Sequence, residues 1–396
     1  MRAGKIRKSA LLLPISLLFY TALIVTTFSM IFYARDRFQA SASMIGWLAA
    51  VPHLCYFGGC FALRPLYRLV LPRYSLILAT AAAATALAGM LVVRSLPPLF
   101  VLYGLFGFCQ ALYWPPLMGW LSAGQEKEEL NATLGRFNLS WSGGNIIAPG
   151  IAGFLLQRGL GVPFTAAALI MAAICLTVLL ASVAAPGIRQ DRQREPLRRS
   201  EGKLEDRSTP LRYPAWVGLF ASYVILGITM SVFPLYLREQ ISLTESRIGL
   251  LLLFRALFST LGFVLLARLA FWHFNSRLMI LGQGTIVVVV AAMAVAATFA
   301  GFAAVLIVFG LLFSLSYNNS LFHSVSGSLR RSTRMAVHEG LLTAGMVSGS
   351  AIGGYLYQSG RFVRVLMFGC AVVAAATAVQ VVLVLLLRKL SKNSAN

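Results

Sequence analysis

The stretch YVILGITMSVFPLYLREQISLTESRIGLLLLFRALFSTLG, residues 223 to 262, repeats YTALIVTTFSMIFYARDRFQASASMIGWLAAVPHLCYFGG, residues 20 to 59, without a gap and at a constant offset of 203. Tyr20 recurs as Tyr223, Thr26 as Thr229, Tyr33 as Tyr236, Arg35 as Arg238 and Asp36 as Glu239. Beyond the polar turn, Ser43 recurs as Ser246, Ile45 and Gly46 as Ile248 and Gly249, Leu48 as Leu251, Leu54 as Leu257 and Gly59 as Gly262. A match across two apolar runs and the turn between them marks an internal duplication. The copies part at one place: Pro52 and His53 of the first are Arg255 and Ala256 of the second. A permanent charge inside a hydrophobic run demands a functional or structural explanation.

Outward from this repeat, the composition sets the class. The chain is 58% hydrophobic and 12% charged over 396 residues, with a mean hydropathy of +0.79. That balance belongs to an integral membrane protein. The formal charge of +22 does not indicate nucleic-acid binding, because the Lys and Arg residues lie between apolar runs rather than on a soluble basic module. The five cysteines, Cys55, Cys60, Cys109, Cys175 and Cys370, fall within or at the edge of apolar runs and show neither a disulfide framework nor metal-ligand spacing. No cofactor is expected.

Runs long enough to cross a bilayer as helices cover residues 10–33, 43–63, 75–93, 97–120, 135–157 and 162–185, then 214–237, 246–267, 278–299, 302–326, 336–358 and 364–387. The first is preceded by Arg2, Lys5, Arg7 and Lys8, but it is too long for a signal core and reads as an uncleaved span. The expected fold is therefore an all-α membrane protein of twelve transmembrane helices in two pseudo-symmetric six-helix bundles, residues 1–185 and 214–396. Residues 186–213 join them as a hydrophilic linker with eight Lys or Arg and five Asp or Glu. The positive-inside rule places both termini and the linker in the cytoplasm, with 25 of the 34 basic residues on that side. Asn131 and Asn138 begin Asn-x-Ser/Thr triplets, but one lies in a cytoplasmic loop and the other within a span, so neither is a glycosylation site.

Small residues recur in span 5 as Gly144, Ala148, Pro149, Ala152 and Gly153, and in span 11 as Gly345, Gly349, Ser350, Gly353 and Gly354, at an offset of 201. Such spacing lets helices approach backbone to backbone. Two six-span halves, a charged linker and this G-x-x-x-G-P-x-x-G-G-like pattern resemble the major facilitator superfamily over nearly the whole chain. The resemblance implies that spans 1, 4, 7 and 10 line a cavity, helped by 2, 5, 8 and 11, and that the halves rock about a midplane site by alternating access. Gly144, Pro149, Gly153, Gly345, Gly349, Gly353 and Gly354 are expected to serve helix packing first, with gating as what the resemblance implies. One departure stands out. The loop after span 2 has Gly59, Arg64, Arg68 and Arg73 but no acidic residue, and the matching loop with Arg268, His273 and Arg277 also has none, so the family's Asp-dependent latch is incomplete.

The polar residues independently point to a central cavity. Spans 3, 6, 9 and 12 are dominated by Ala, Val, Leu and Ile, as suits scaffold helices. The others carry Tyr20, Thr21, Thr26 and Thr27; Gln110, Tyr113 and Trp114; Asn138, Trp141 and Asn145 on one helical face; Ser316, Tyr317, Asn318, Asn319, Ser320 and His323; and His338, Glu339 and Thr343. Arg255 lies ten residues, roughly 15 Å, past Glu245 and so near mid-membrane. It reads either as the anchor for a substrate carboxylate, phosphate or sulfate, or as a structural ion pair or carbonyl contact. Glu339, beside His338, is either a proton relay or the partner of a cytoplasmic-side Arg such as Arg136 or Arg334. His53, near the position of Arg255 in its own copy, is a cavity residue or a histidine satisfied by a neighbouring helix. The twins Tyr20 and Tyr223 line the cavity or a helix contact, and Trp114 and Trp141 stack on substrate or serve packing.

The expected function is a secondary active transporter, functional as a monomer in the plasma (bacterial inner) membrane, that moves a small, anionic organic solute by proton coupling or exchange. The lipid bilayer is its surroundings, and nucleic acid is no partner. A multidrug exporter is the alternative within the same class, though this cavity is poor in the acidic groups that cationic drugs need. No G-x-x-x-x-G-K-[ST] segment is present for direct use of ATP. An enzyme would need a charged constellation that one intramembrane carboxylate does not supply. A transporter-like sensor is the alternative of another class.

Overall fold

In hydrocarbon every backbone N–H and C=O must find its partner inside its own segment, which leaves an apolar chain of this kind the helix as its regular structure. The computed structural model describes residues 8–63, 65–122, 127–184, 209–326 and 331–393. All the regular elements among them are helices. Six long helices come first: α1 (Lys8–Phe38), α2 (Ala42–Ala62), α4 (Pro72–Val92), α5 (Leu96–Ser122), α6 (Lys127–Leu156) and α7 (Val162–Ala184), with the single turn α3 (Leu66–Leu69) after α2. Six more follow: α8 (Arg212–Glu239), α9 (Glu245–Arg268), α10 (Ser276–Ala292), α11 (Phe299–Val325), α12 (Arg331–Tyr357) and α13 (Phe362–Asn393). Arg2, Lys5, Arg7, Arg64, Arg330 and most of the linker, residues 185–208, lie outside the described residues.

Ten of these helices are long and apolar enough to cross a membrane. The other two occupy the places of spans 9 and 11. α10 is apolar but only 17 residues long. α12 carries Arg331, Arg334, His338 and Glu339 in its first half. Span 9 is expected to run to residue 299, yet α10 ends at Ala292 and the next helix begins at Phe299. The reason is local: the Thr298 side chain accepts a hydrogen bond from Gly301 N–H at 3.1 Å, an N-cap that starts α11 three residues before its expected start at 302.

The chain divides into two compact units, Met1–Ala40 with Val51–Ser200 and Ser41–Ala50 with Glu201–Asn396. Within the first, α1 packs on α6 and α7, and α4 on α5 and α7. Within the second, α8 packs on α12 and α13, and α10 on α11 and α13, the same pairings one repeat later. The first nine residues of α2, with Ser41 before them, group with the second unit, where Gly46 lies against the Ser350 carbonyl and the Cα of Gly354 in α12.

The duplication persists at atomic detail. Thr26 donates its hydroxyl to Ala22 O at 2.8 Å, and Thr229 donates to Ile225 O at 2.7 Å. Such back-bonding is how a hydroxyl is satisfied inside a span. After α1, Gln39 adopts φ 51° and Ala40 N–H closes onto Ala34 O; after α8, Ser242 adopts φ 58° and Leu243 N–H closes onto Leu237 O. The same left-handed turn on non-glycine residues at twin positions is inherited geometry rather than local preference.

Helix contacts are set by glycines at twin positions. A Cβ on Gly107 of α5 would strike the carbonyl and Cα of Pro52, and one on Gly310 of α11 would lie 2.6 Å from the carbonyl of Arg255. Gly144 and Gly345 repeat this arrangement, at 2.7 Å from Leu17 O and 2.6 Å from Phe220 O. Without a hydrophobic force between helices in lipid, backbone-to-backbone approach of this kind supplies much of the packing energy.

One expectation needs correction. Spans 9 and 12, read as apolar scaffold, bring Gln283 and Gln380 together with α8, both buried. Gln283 Oε1 accepts from Ser222 at 3.4 Å and from Ser316 at 3.2 Å, and Gln380 Nε2 donates to Pro214 O at 2.8 Å. A single Gln in a run of Val and Leu barely changes its average hydropathy, so the pattern hides a polar knot that only packing reveals.

Gly107→Ala and Gly310→Ala should each destabilise the protein by about 1–3 kcal/mol through overpacking, visible as a lower unfolding midpoint in detergent. Gly58→Ala, with nothing within 4 Å of its Cβ, should leave the midpoint unchanged or raise it slightly.

Candidate functional site

The candidate residues fall into separate groups, each built on one unit. In the first, α1, α5 and α6 bring Tyr20, Trp114 and Trp141 together. The Tyr20 ring lies 5.2 Å from that of Trp141 and 6.0 Å from that of Trp114, tilted by 43° and 58°. All three are half-buried. Trp141 Nε1 donates to Asn138 Oδ1 at 3.1 Å, a bond that their i, i+3 spacing permits. Asn138 is exposed and Asn145, one turn beyond Trp141, is half-buried.

Tyr113 is placed differently. Its ring is fully enclosed, stacked on Phe19 at 3.7 Å, and its hydroxyl donates to Ile15 O at 3.0 Å. That packing uses both faces of its chemistry. His53 is half-buried on α2 and, among the described residues, shares no ring or hydrogen-bond contact with the other candidates.

In the second unit Arg255 is 3% exposed. It sits on the α9 stripe of Ile248, Leu251, Leu252, Ser259 and Gly262, at the crossing with Gly310. Its Nη2 lies 3.8 Å from Met230 Sδ of α8, and its carbonyl accepts from Ser259 Oγ at 2.9 Å. Sequence reasoning had no signal for Met230, which is one apolar residue among many.

Next along α11 lies a second polar group. The Tyr223 ring is 5.2 Å from that of Phe313, and Tyr317 meets Phe263 at 5.3 Å and the edge of His338 at 5.2 Å. His338 is fully buried, with Nδ1 2.8 Å from Ser320 Oγ. Glu339, its neighbour on α12, is half-buried. Asn318 and Asn319 donate to carbonyls of their own helix, Ser314 O at 2.9 Å and Leu315 O at 3.0 Å. His323 is buried near the end of α11, with the rings of Phe322 at 5.2 Å and Phe274 at 5.5 Å.

The glycines act as packing elements. Gly345 and Gly349 lie against the α8 backbone at Phe220 and Val224, Gly353 against the Ile228 side chain, and Gly354 against Ala42 O. Gly144 lies against Leu17 and Thr21. Pro149 is buried inside α6 and followed by Gly153. Among the described residues, no three His, Cys, Asp or Glu side chains come together to hold a metal ion.

The repeat aligns the groups. At the offset of 203 for α5 and α11 and 201 for α6 and α12, Trp114 corresponds to Tyr317, Phe137 to His338, Asn138 to Glu339 and Trp141 to Leu342. The edge-on pair Trp114 and Phe137, at 6.0 Å, is thus the twin of Tyr317 and His338. The same frame carries aromatic groups in one half and ionisable groups in the other.

A membrane-spanning bundle of two like halves, with polar groups buried inside apolar helices, defines a solute carrier. The family model of the Major Facilitator Superfamily matches residues 12–329, and the chain belongs to that family. It is a transporter of the kind that moves solutes across membranes, not an enzyme. The nucleoside transporter NupG is similar in structure, with a TM-score of 0.73 over 96% of this chain and 99% of that one at 11% identity. A bacterial homologue of the iron transporter ferroportin, in an inward-facing state, has a TM-score of 0.69 over 96% and 99% at 17% identity. A bacterial homologue of the human lysosomal transporter Spinster has 0.71 over 97% and 96% at 13% identity. No curated protein sequence matches the chain.

Ser320→Ala removes the hydroxyl beside His338 Nδ1, and an unmatched buried ring nitrogen should cost about 1–3 kcal/mol. Thermal unfolding of the purified protein should show the lower midpoint.

Proposed function

We propose that the protein is a secondary transporter for a small organic anion, working by alternating access and driven by protons or by exchange. What carries the reading is Arg255, a guanidinium buried to 3% exposure in the middle of an apolar helix. Insertion scales put the cost of such a placement at about 3 kcal/mol, and intramembrane charges usually serve a pathway. Its position is absent from the first copy, where Pro52 stands, so the duplicated architecture does not require it.

On this reading Arg255, Tyr223, Tyr317 and Asn318 of the second half and Tyr20, Trp114, Asn138, Trp141 and Asn145 of the first contact the solute along its path, with His53 in a supporting place. Tyr113, stacked on Phe19 with its hydroxyl bonded to Ile15 O, Asn319, bonded to Leu315 O, and His323, set against Phe322 and Phe274, are read as packing. Glu339 and His338 carry the proton. The glycines and Pro149 let the helices slide at close contact. Both termini lie in the cytoplasm, the membrane is the plasma membrane, and one chain suffices. NupG is a nucleoside transporter and a second relative is a homologue of an iron transporter, but identities of 11–17% support the fold alone and lend no substrate to this chain.

Counterflow in proteoliposomes tests the first assignment, and uptake under an imposed proton gradient tests the second. Arg255→Ala should weaken the apparent affinity for an anionic solute by about tenfold or more, the loss of one charge-assisted bond. Normal affinity in that variant would remove the anion reading. Glu339→Gln should keep solute exchange while losing accumulation driven by a proton gradient; unchanged accumulation would assign the coupling elsewhere.

A further inference from the structure

We infer that the solute carries a flat, unsaturated ring, and that Tyr20, Trp114 and Trp141 hold it. The inference rests on the transporter reading above and names a feature of the solute which that reading leaves open.

The three rings come from three helices, α1, α5 and α6, and none is near-parallel to Tyr20. Tyr20 is tilted by 43° to Trp141 and by 58° to Trp114. The residues one position earlier behave otherwise: Phe19 and Tyr113 stack at 3.7 Å and 11° and are fully buried. Packing is therefore complete at 19 and 113, while at 20 and 114 the rings splay and keep part of their surface open.

The open rings are also braced. Trp114 is met edge-on by Phe19 at 5.2 Å, Tyr113 at 5.0 Å and Phe137 at 6.0 Å. Trp141 is fixed by its N–H bond to Asn138. Side chains ordered before a ligand arrives lose little freedom on binding, which is the design of a preformed site. Trp141 lies six residues, roughly 9 Å, inside the apolar part of α6, Gly135–Leu156, deeper than the span ends where interfacial tryptophans gather.

The second half shows that the helix pair does not need Trp141 for packing, whereas Tyr20 keeps a ring as Tyr223 and Trp114 as Tyr317. Its α8 and α12 approach at Phe220 and Gly345 as α1 and α6 do at Leu17 and Gly144. Yet the residue at the place of Trp141 is Leu342, and that at the place of Asn138 is Glu339. Aromatic surfaces recognise a flat π-face by offset or edge-on stacking, and the exposed carboxamide of Asn138 adds a polar contact at the ring's rim.

The test uses the purified full-length protein and four probes: benzoate, cyclohexanecarboxylate, benzamide and cyclohexanecarboxamide. Dissociation constants are read from thermal-shift titrations. Each unsaturated probe should bind at least about fivefold more tightly than its saturated partner. Trp141→Leu, which installs the residue of the second half, should reduce that preference to below about twofold, and Trp141→Phe should retain it. Trp114→Leu is the second variant and is read in the same way. Equal binding of saturated and unsaturated probes, a preference that survives both leucine variants, or no saturable binding of any probe would overturn the inference. The charge reading fails separately: benzoate and benzamide bound equally, both above their saturated partners, would remove the anion and leave the ring. Acids bound above amides with no ring preference would do the reverse.

Discussion

The structure depends on helices touching backbone to backbone. Water drives soluble helices together by expelling itself from apolar faces, but lipid offers no such difference between a helix and its solvent. What remains is dispersion at short range, which glycine makes available. Gly107 on Pro52, Gly310 on Arg255, Gly144 on Leu17 and Gly345 on Phe220 are four such contacts in two twin pairs. They set the depth and register at which α5 meets α2, α11 meets α9, α6 meets α1 and α12 meets α8. Every side chain near a crossing then has its place determined by a backbone that cannot move apart without losing the contact.

That constraint explains why the halves can share a frame and differ in chemistry. Phe19 and Tyr113 fill the first half with a stacked pair. Their twins are Ser222 and Ser316, which instead both donate to Gln283. Two aromatic rings have been exchanged for two hydroxyls and an amide in the same helix arrangement. Each of the two buried hydroxyls finds its acceptor in Gln283 Oε1, without which a buried polar group is destabilising. Farther along, Trp114 with Phe137 becomes Tyr317 with His338, and Asn138 becomes Glu339.

Much of the fold was legible because membrane helices announce themselves by length and hydropathy, and the repeat sets its own register. The duplication read across the turn from Tyr33 to Ser43 and its twin has a structural counterpart, since Gln39 and Ser242 share the same left-handed backbone. What escaped were features with no sequence period. The N-cap at Thr298 moved a helix start, and Gln283 and Gln380 were lost among valines and leucines. Within the candidate site, Trp141 with Asn138 followed from their spacing on one helix. The contact of Arg255 with Met230 did not, since nothing distinguishes a thioether that faces a guanidinium from one that faces lipid. Tyr113 shows the opposite limit: a polar aromatic next to Trp114 looks like an equal candidate until packing places one ring in the core and its neighbour at an open edge.

The departures from the repeat are therefore the more informative residues. A duplicated position preserved in both halves, such as Thr26 with Thr229 or Gly144 with Gly345, is accounted for by the frame. A position where one half has Arg255 and the other Pro52, or one has Trp141 and the other Leu342, is not, because the twin demonstrates that the same helix crossing forms with a different residue. Placing a charge inside a span has an energetic cost that packing alone does not repay. The two departures fall on different halves and have complementary character, a cation on one and aromatic faces on the other. On the proposed reading Arg255 answers to an anionic group and Trp141 to a flat ring, each argued within its own half, because in each case the twin position shows a frame that forms without it.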